Sequence, residues 1–206
     1  MKRATGSLRA LRAAALLALL AAAVACNPVE KESQSASRLI LESLTGYDVE
    51  GNEAGYLNSD VVIITDSGGW SWRADIASAA FTVIPYDPQP LLGTSSYYDV
   101  QLTRYTVSFF RNDGRNVPGR DVPYPFEGQI SLRIPVNQSG AISFVIVREV
   151  AKQEMPLLGL YQANVGDVLN MTARIEFYGR DLAGRTVTAS GSLPVYFANY
   201  AEKSGE

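Results

Sequence analysis

The stretch that decides the fold runs from Leu169 to Phe197. It opens Leu169-Asn170-Met171-Thr172-Ala173-Arg174-Ile175-Glu176-Phe177-Tyr178 and closes Val187-Thr188-Ala189-Ser190-Gly191-Ser192-Leu193-Pro194-Val195-Tyr196-Phe197. In the opening run the odd positions are apolar and the even ones mostly polar. The closing run repeats that alternation with the same parity. Successive side chains on a strand point to opposite faces, so each run predicts a strand with one buried and one solvated face. Between them lies Gly179-Arg180-Asp181-Leu182-Ala183-Gly184, whose Gly and Asp residues suit a hairpin turn.

The same period recurs toward the N-terminus. It predicts strands over residues 38–44, 60–65, 76–86, 98–111, 128–136 and 141–150. In 128–136 the inward set is Ile130, Leu132, Ile134 and Val136. In 98–111 the alternation changes phase: Tyr98, Val100 and Leu102 are even, Tyr105, Val107 and Phe109 odd. Such a slip predicts a bulge near Thr103 and Arg104, or a strand that crosses between sheets. Pro135 and Pro194 fall on polar-face positions and mark edges or bulges, because proline brings no N–H to a ladder. Residues 151–166 break the pattern. There Met155-Pro156-Leu157-Leu158-Gly159-Leu160-Tyr161 predicts a short helical turn or a crossover capping one end. Eight short strands, without a long helical pattern or a fixed repeat, predict an all-β fold. The expectation is an antiparallel β-sandwich of about 7–8 strands that resembles immunoglobulin-like domains in pattern only, with a jelly roll or open barrel as the alternative.

Composition narrows the chemistry. The chain has 206 residues, 47% hydrophobic and 19% charged, which excludes a disordered chain. One cysteine excludes a disulfide framework and a multi-cysteine metal cluster. The absence of histidine removes the common zinc sites, the Ser-His-Asp triad and the Cys-His pair. There is no Ser-x-x-Lys dyad and no Gly-rich phosphate loop of recognised spacing. Two carboxylates suffice for glycoside hydrolysis, but no acid stands in an apolar setting that would raise its pKa. The expectation is a protein that is not an enzyme and holds no cofactor or metal.

The first residues carry an address. Met1-Lys2-Arg3, Arg9 and Arg12 form a basic start without an acid. The uncharged run Ala13 to Ala25 is 13 residues, short of the roughly 20 that span a bilayer. It ends Ala23-Val24-Ala25-Cys26-Asn27, with small residues before the lone cysteine. This resembles the lipobox of bacterial lipoproteins, although that family prefers Leu where Ala23 stands. The resemblance implies cleavage before Cys26, a diacylglyceryl group on its thiol, and outer-membrane sorting, since Asn27 is not the Asp that retains enteric lipoproteins at the inner membrane. Ordinary secretion with cleavage after Ala25, or an uncleaved anchor, are the alternatives. The expected organisation is a signal peptide over 1–25, lipidated Cys26 and a polar tether over 26–37, a sandwich over 38–200 and a tail over 201–206. Removing the four basic residues of the signal leaves 14 Lys and Arg against 21 acids, a net charge of −7. That balance argues against a nucleic-acid partner and against electrostatic docking on anionic lipid.

Four residues are candidate binding groups. Trp70 and Trp72 fall on one face if their segment is extended. They either stack on sugar rings or pack in the core or at its rim, and packing is the expectation. Arg115 and Arg120 lie in the long connection 112–125, placed to meet an acidic ligand or partner, while Asp113-Gly114 and Pro118-Gly119 read as turn chemistry. Asp48, Glu50 and Asp60 suggest an irregular calcium site. The Asp48 segment fails the EF-hand pattern, with Glu53 where Gly is needed and Asn58 where Glu is needed, so a solvated acidic turn is the expectation. The expected role is a lipid-anchored, non-enzymatic accessory module that binds an envelope protein through a loop or edge strand. A polysaccharide-binding module is the alternative.

Overall fold

The computed structural model describes residues 34–64, 69–89, 93–161 and 167–200. The expected signal peptide, Cys26, most of the tether and the 201–206 tail lie outside the described residues. By compactness the chain divides after Gln34, and Ser35 onward forms one unit.

This unit is mostly strand. In chain order its elements are β1 (Ser37–Tyr47), β2 (Glu53–Ala54), β3 (Leu57–Asp60), β4 (Ile63–Ile64), β5 (Trp70–Ser71), β6 (Asp75–Pro85), β7 (Val100–Phe110), β8 (Phe126–Ile134), β9 (Gln138–Val147), α1 (Glu149–Lys152), α2 (Leu157–Tyr161), β10 (Leu169–Asp181) and β11 (Thr186–Ala198). One sheet has the order β2-β1-β6-β9. The other, strongly curled, has the order β3-β11-β10-β7-β8, and β4 with β5 forms a small ribbon. Among the described strands the pairings are antiparallel apart from β3, which runs parallel to β11, Leu57–Asp60 beside Val195–Ala198. The chain reaches β3 after an antiparallel hairpin from β1 into β2, crossing from the first sheet to the edge of the second.

The phase slip in β7 is a bulge. Against β10, Arg104 faces Tyr178 and Leu102 faces Gly179, so Thr103 has no partner. Leu102 and Tyr105 are both buried despite opposite parity, because the extra residue turns the strand face over. The strand expected over 60–65 is instead split. β3 ends at Asp60, Val61 donates to the Ala198 carbonyl, and the chain leaves the sheet with Val61 and Val62 buried. That run carries no alternation that would mark the break. Residues 148–150, expected as strand, belong to the entry into α1. Pro135 stands just past the end of β8. Pro194 lies on β11 immediately before the stretch that β3 covers, where no strand opposes it on that side among the described residues.

The two sheets share one core. Phe81 on β6 and Phe144 on β9 meet Tyr105 on β7 and Phe177 on β10, edge-on, with ring centroids 4.9 Å apart for Phe81–Phe177, 5.2 Å for Phe144–Phe177 and 4.9 Å for Tyr105–Phe144. Each such side chain contributes about 1.5–3 kcal/mol on burial. The Tyr105 hydroxyl donates to the Val145 carbonyl at 2.9 Å, so its polar tip is satisfied while it joins the sheets. At Gly191 the sheets pack closely, since a Cβ there would lie 2.5 Å from a Leu41 methyl.

Register separates two ends. At the entry end lie Ser37, Pro85, Val100, Ile134, Gln138, Asp181 and Thr186. At the distal end lie Tyr47, Asp75, Phe110, Phe126, Val147, Leu169 and Ala198. The chain enters at the first. Ser35 Oγ donates to Asp181 at 2.8 Å, the Tyr86 N–H donates to the Ala36 carbonyl at 2.8 Å, and Ser37 Oγ donates to the Tyr98 carbonyl. Residues 35–37, expected in the tether, are therefore fixed to the domain, and Ser37 is buried.

Candidate functional site

The connection from β7 to β8 occupies the distal end. Its sequence places Asp beside or two residues from Arg, and the structure converts that spacing into ion pairs. Asp113 accepts from Arg111 and from Arg115, whose Nη2 lies 2.7 Å away. Asp121 accepts from Arg120 Nη2 at 2.8 Å and from the Val117 N–H at 3.1 Å. The Arg111 and Arg115 guanidiniums hold the Asp113 carboxyl far below the usual carboxylate range, and Arg120 lowers that of Asp121. Backbone bonds close the turn: Val117 C=O accepts from Arg120, Asp121 and Val122, and Gly119 N–H donates to Val122 C=O. Gly119 has φ +76°, and the Tyr124 ring lies where its Cβ would be, so a side chain there would expel Tyr124. Val122 is buried beneath the loop.

What this knot leaves outside is a mixed surface. Tyr124 is 51% exposed, Val117 and the neighbouring Phe110 are exposed, and the Arg115 and Arg120 side chains project with most of their area in solvent. Sequence reasoning identified the two arginines. It did not single out Tyr124, Val117 or Phe110, because an exposed apolar residue is recognised only once the fold shows which face it takes.

The two tryptophans do not share a surface. Trp70, in β5, is 56% exposed, with its ring 4.3 Å from that of Tyr161 on α2. Trp72, past the end of β5, packs against the core, and its Nε1 is buried without a partner. Two-residue spacing puts them on one face only if the strand continues, and β5 stops at Ser71. At the Asp48 turn, one carboxylate oxygen accepts the N–H groups of Glu50 and Asn52, each at 2.8 Å, so the acid closes its own turn. Asp60, at the end of β3, accepts from the Tyr200 N–H at 3.3 Å. Among the described residues no three Asp or Glu side chains gather to hold a metal ion, and no helix is long and apolar enough to cross a membrane.

Beneath the distal end lies a polar cluster that the sequence did not indicate. Lys152 on α1 is 2% exposed. Its Nζ donates to Asp75 Oδ1 at 2.8 Å and to the Asp60 carbonyl at 2.7 Å, and Ser59 Oγ donates to Asp75 Oδ2 at 2.6 Å. Burial raises the Asp75 carboxyl above its ordinary pKa, and Lys152 offsets part of that rise. Ser59 is fully buried and meets Asp75 rather than Lys152, so the arrangement clamps β3, β6 and α1 together and exposes no nucleophile. A shallow concavity of about 400 Å³ on the solvent face of the curled sheet, lined by Arg174, Glu176, Tyr178, Thr188 and Ser190, is occupied by its own contacts. Arg174 pairs with Glu176 at 2.9 Å, Tyr178 donates to Glu176, and Arg104 stacks on Tyr178 at 3.9 Å.

No protein-family model matches the chain, and no curated protein matches it in sequence.

Proposed function

We propose that the protein is a lipid-anchored, non-enzymatic envelope lipoprotein, held at the outer membrane through Cys26, whose β-sandwich binds a partner protein with its distal end. The observation that carries this reading is the loop over 112–125. It is long, satisfies its own polar groups, and presents Tyr124, Val117 and Phe110 among Arg115 and Arg120. Aromatic residues and arginine dominate binding energy at protein interfaces, and a loop ordered in advance loses little entropy on docking. Residues 35–37, the start of the domain, are fastened at the opposite end. An immunoglobulin-like domain is the fold we infer. Its support is the order β1-β6-β9 facing β11-β10-β7-β8, which follows strands A, B and E against G, F, C and C′.

Crosslinking in intact cells, followed by detergent purification through a C-terminal tag, tests the reading. An envelope protein at fixed ratio is expected, and it should be lost when Tyr124→Ala is combined with Arg120→Ala. Recovery of the protein alone overturns it. For the anchor, Cys26→Ser should abolish fatty-acid labelling and release the protein from the membrane fraction.

The exposed Trp70–Tyr161 pair favours a second reading, a polysaccharide-binding module in which these rings stack on sugar faces. Glycan should then shift tryptophan fluorescence, and Trp70→Ala should remove the response. Unchanged fluorescence across a polysaccharide panel sinks it.

A further inference from the structure

Three exposed apolar side chains surround the point where the chain enters the domain. Tyr86 is 73% exposed, Tyr97 is 66% exposed, and Leu182 is 40% exposed. Each is tied to the entering segment within one residue. The Tyr86 N–H holds Ala36, Tyr97 precedes the Tyr98 carbonyl that accepts from Ser37, and Leu182 follows the Asp181 carboxylate that accepts from Ser35. The Leu182 N–H in turn donates to the Asp99 carbonyl at 3.0 Å, so these segments form one surface.

Charge at this end runs against the chain as a whole. Arg38 and Arg180 are exposed here. Of the nearby acids, Asp99 and Asp181 are buried and engaged, Asp99 by Arg133 at 2.9 Å and by the Val136 N–H, Asp181 by Ser35 and the Arg185 N–H, while Asp87 is exposed. Exposed Glu50, Glu53, Glu149, Glu154 and Asp167 lie toward the distal end, beside the exposed bases Arg73, Arg115 and Arg120, of which Arg115 and Arg120 are paired with Asp113 and Asp121, and exposed Glu42 lies midway along β1. A net acidic domain therefore carries basic groups on the side from which its N-terminal segment leaves.

We propose that the entry end is a membrane-apposed surface, with Tyr86, Tyr97 and Leu182 at the lipid interface and Arg38 and Arg180 against anionic headgroups. The proposal rests on the reading of Cys26 as the lipid anchor and names the second contact that the anchored domain makes. Eight residues separate Cys26 from Ser35. Even fully extended, a chain of that length spans at most about 30 Å. The distal end is one strand length farther, roughly 40 Å for the 13 residues of β11. Tyrosine is suited to this position because its ring is apolar and its hydroxyl stays wet, as in the aromatic belts of membrane proteins. Basic residues near an anionic surface add attraction that the distal acids oppose, so the field also orients the domain. The expected consequence is a domain standing on its entry end with the loop over 112–125 directed outward.

The test uses the mature, acylated full-length protein in vesicles of phosphatidylcholine and phosphatidylglycerol containing a nitroxide-labelled lipid. With the Cys26 thiol acylated, Tyr97→Cys and Val49→Cys each provide one free thiol for an environment-sensitive fluorophore. Strong quenching at position 97 and none at 49 is expected. Combining Arg38→Gln with Arg180→Gln should lower the apposed population by about fivefold for each arginine. Equal quenching at both positions, or none at either while Cys26 carries its lipid and the protein floats with the vesicles, overturns the proposal and leaves the anchor standing. A Cys26 without lipid, in protein that stays in solution, overturns both.

Discussion

The two ends of this domain solve the same problem in opposite ways. At the entry end the polar fastenings are short-range in space and partly wet: Ser35 on Asp181, Ser37 on Tyr98, and Arg133 on Asp99 with the guanidinium half in solvent. At the distal end the fastening is a buried charge pair, Lys152 on Asp75, reinforced by Ser59 and the Asp60 carbonyl. Elsewhere at this end, between β7 and β8, a surface loop pairs its own charges, Asp113 with Arg111 and Arg115, and Asp121 with Arg120. The contrast lies in the cation: the Lys152 ammonium is shut away from solvent, whereas the Arg133 guanidinium is half in it.

The sharpest way to break this contrast is to remove the buried cation. Lys152→Met leaves the Asp75 carboxylate buried without its partner and should cost about 3–5 kcal/mol at neutral pH in urea unfolding. Burial already places the Asp75 pKa above its unfolded value, and loss of Lys152 raises it further. The folded state of the variant therefore favours protonated Asp75, so its deficit should shrink as pH falls through that raised pKa. The matched change at the entry end, Arg133→Met, should cost less than Lys152→Met, because the Arg133 guanidinium is half in solvent and the buried Asp99 carboxylate keeps the Val136 N–H. Equal costs would remove the distinction.

Binding should separate the ends next. Tyr124→Ala should weaken capture of the partner by about tenfold or more, as loss of an interface anchor does, whereas Tyr97→Ala should leave it unchanged. Equal losses from both would show that the partner does not distinguish the ends.

A smaller and local effect is expected from Asp113→Asn. Hydrogen exchange should accelerate at Arg115 and its neighbours, with the urea midpoint of the whole domain unmoved. In the unchanged protein the Asp113 pKa is depressed, so the loop's stabilisation is present above the unfolded carboxyl pKa of about 4 and is lost only as pH falls through the lower folded value. Loop protection should thus persist at pH 4. Its loss there would mean that the arginines do not hold the turn.

Much of the scaffold was legible because strand burial is local. The parity of Leu169 to Phe197 gave both strands and their hairpin, and the phase change between Leu102 and Tyr105 located the bulge at Thr103. The split at residues 60–65 was not legible, since Val61-Val62-Ile63-Ile64 is apolar whether the chain stays in the sheet or leaves it. The Asp113-Gly114 turn was legible, but the sequence reading left Arg115 open to an outside acid, whereas it pairs with Asp113. The pairing of Lys152 with Asp75 was not legible, because 77 positions separate them.

The sequence by itself determined the all-β class, most strand faces, the bulge and the presence of an unusually long β7–β8 connection, since each follows from the order of neighbouring residues along one strand or turn. Tertiary structure alone decided which arginines are paired, that Trp70 is exposed while Trp72 packs inward, that β3 runs parallel to β11, and which residues meet at each end. Those outcomes depend on contacts between segments far apart in the chain, where the path of the fold rather than the local pattern sets which surfaces are buried.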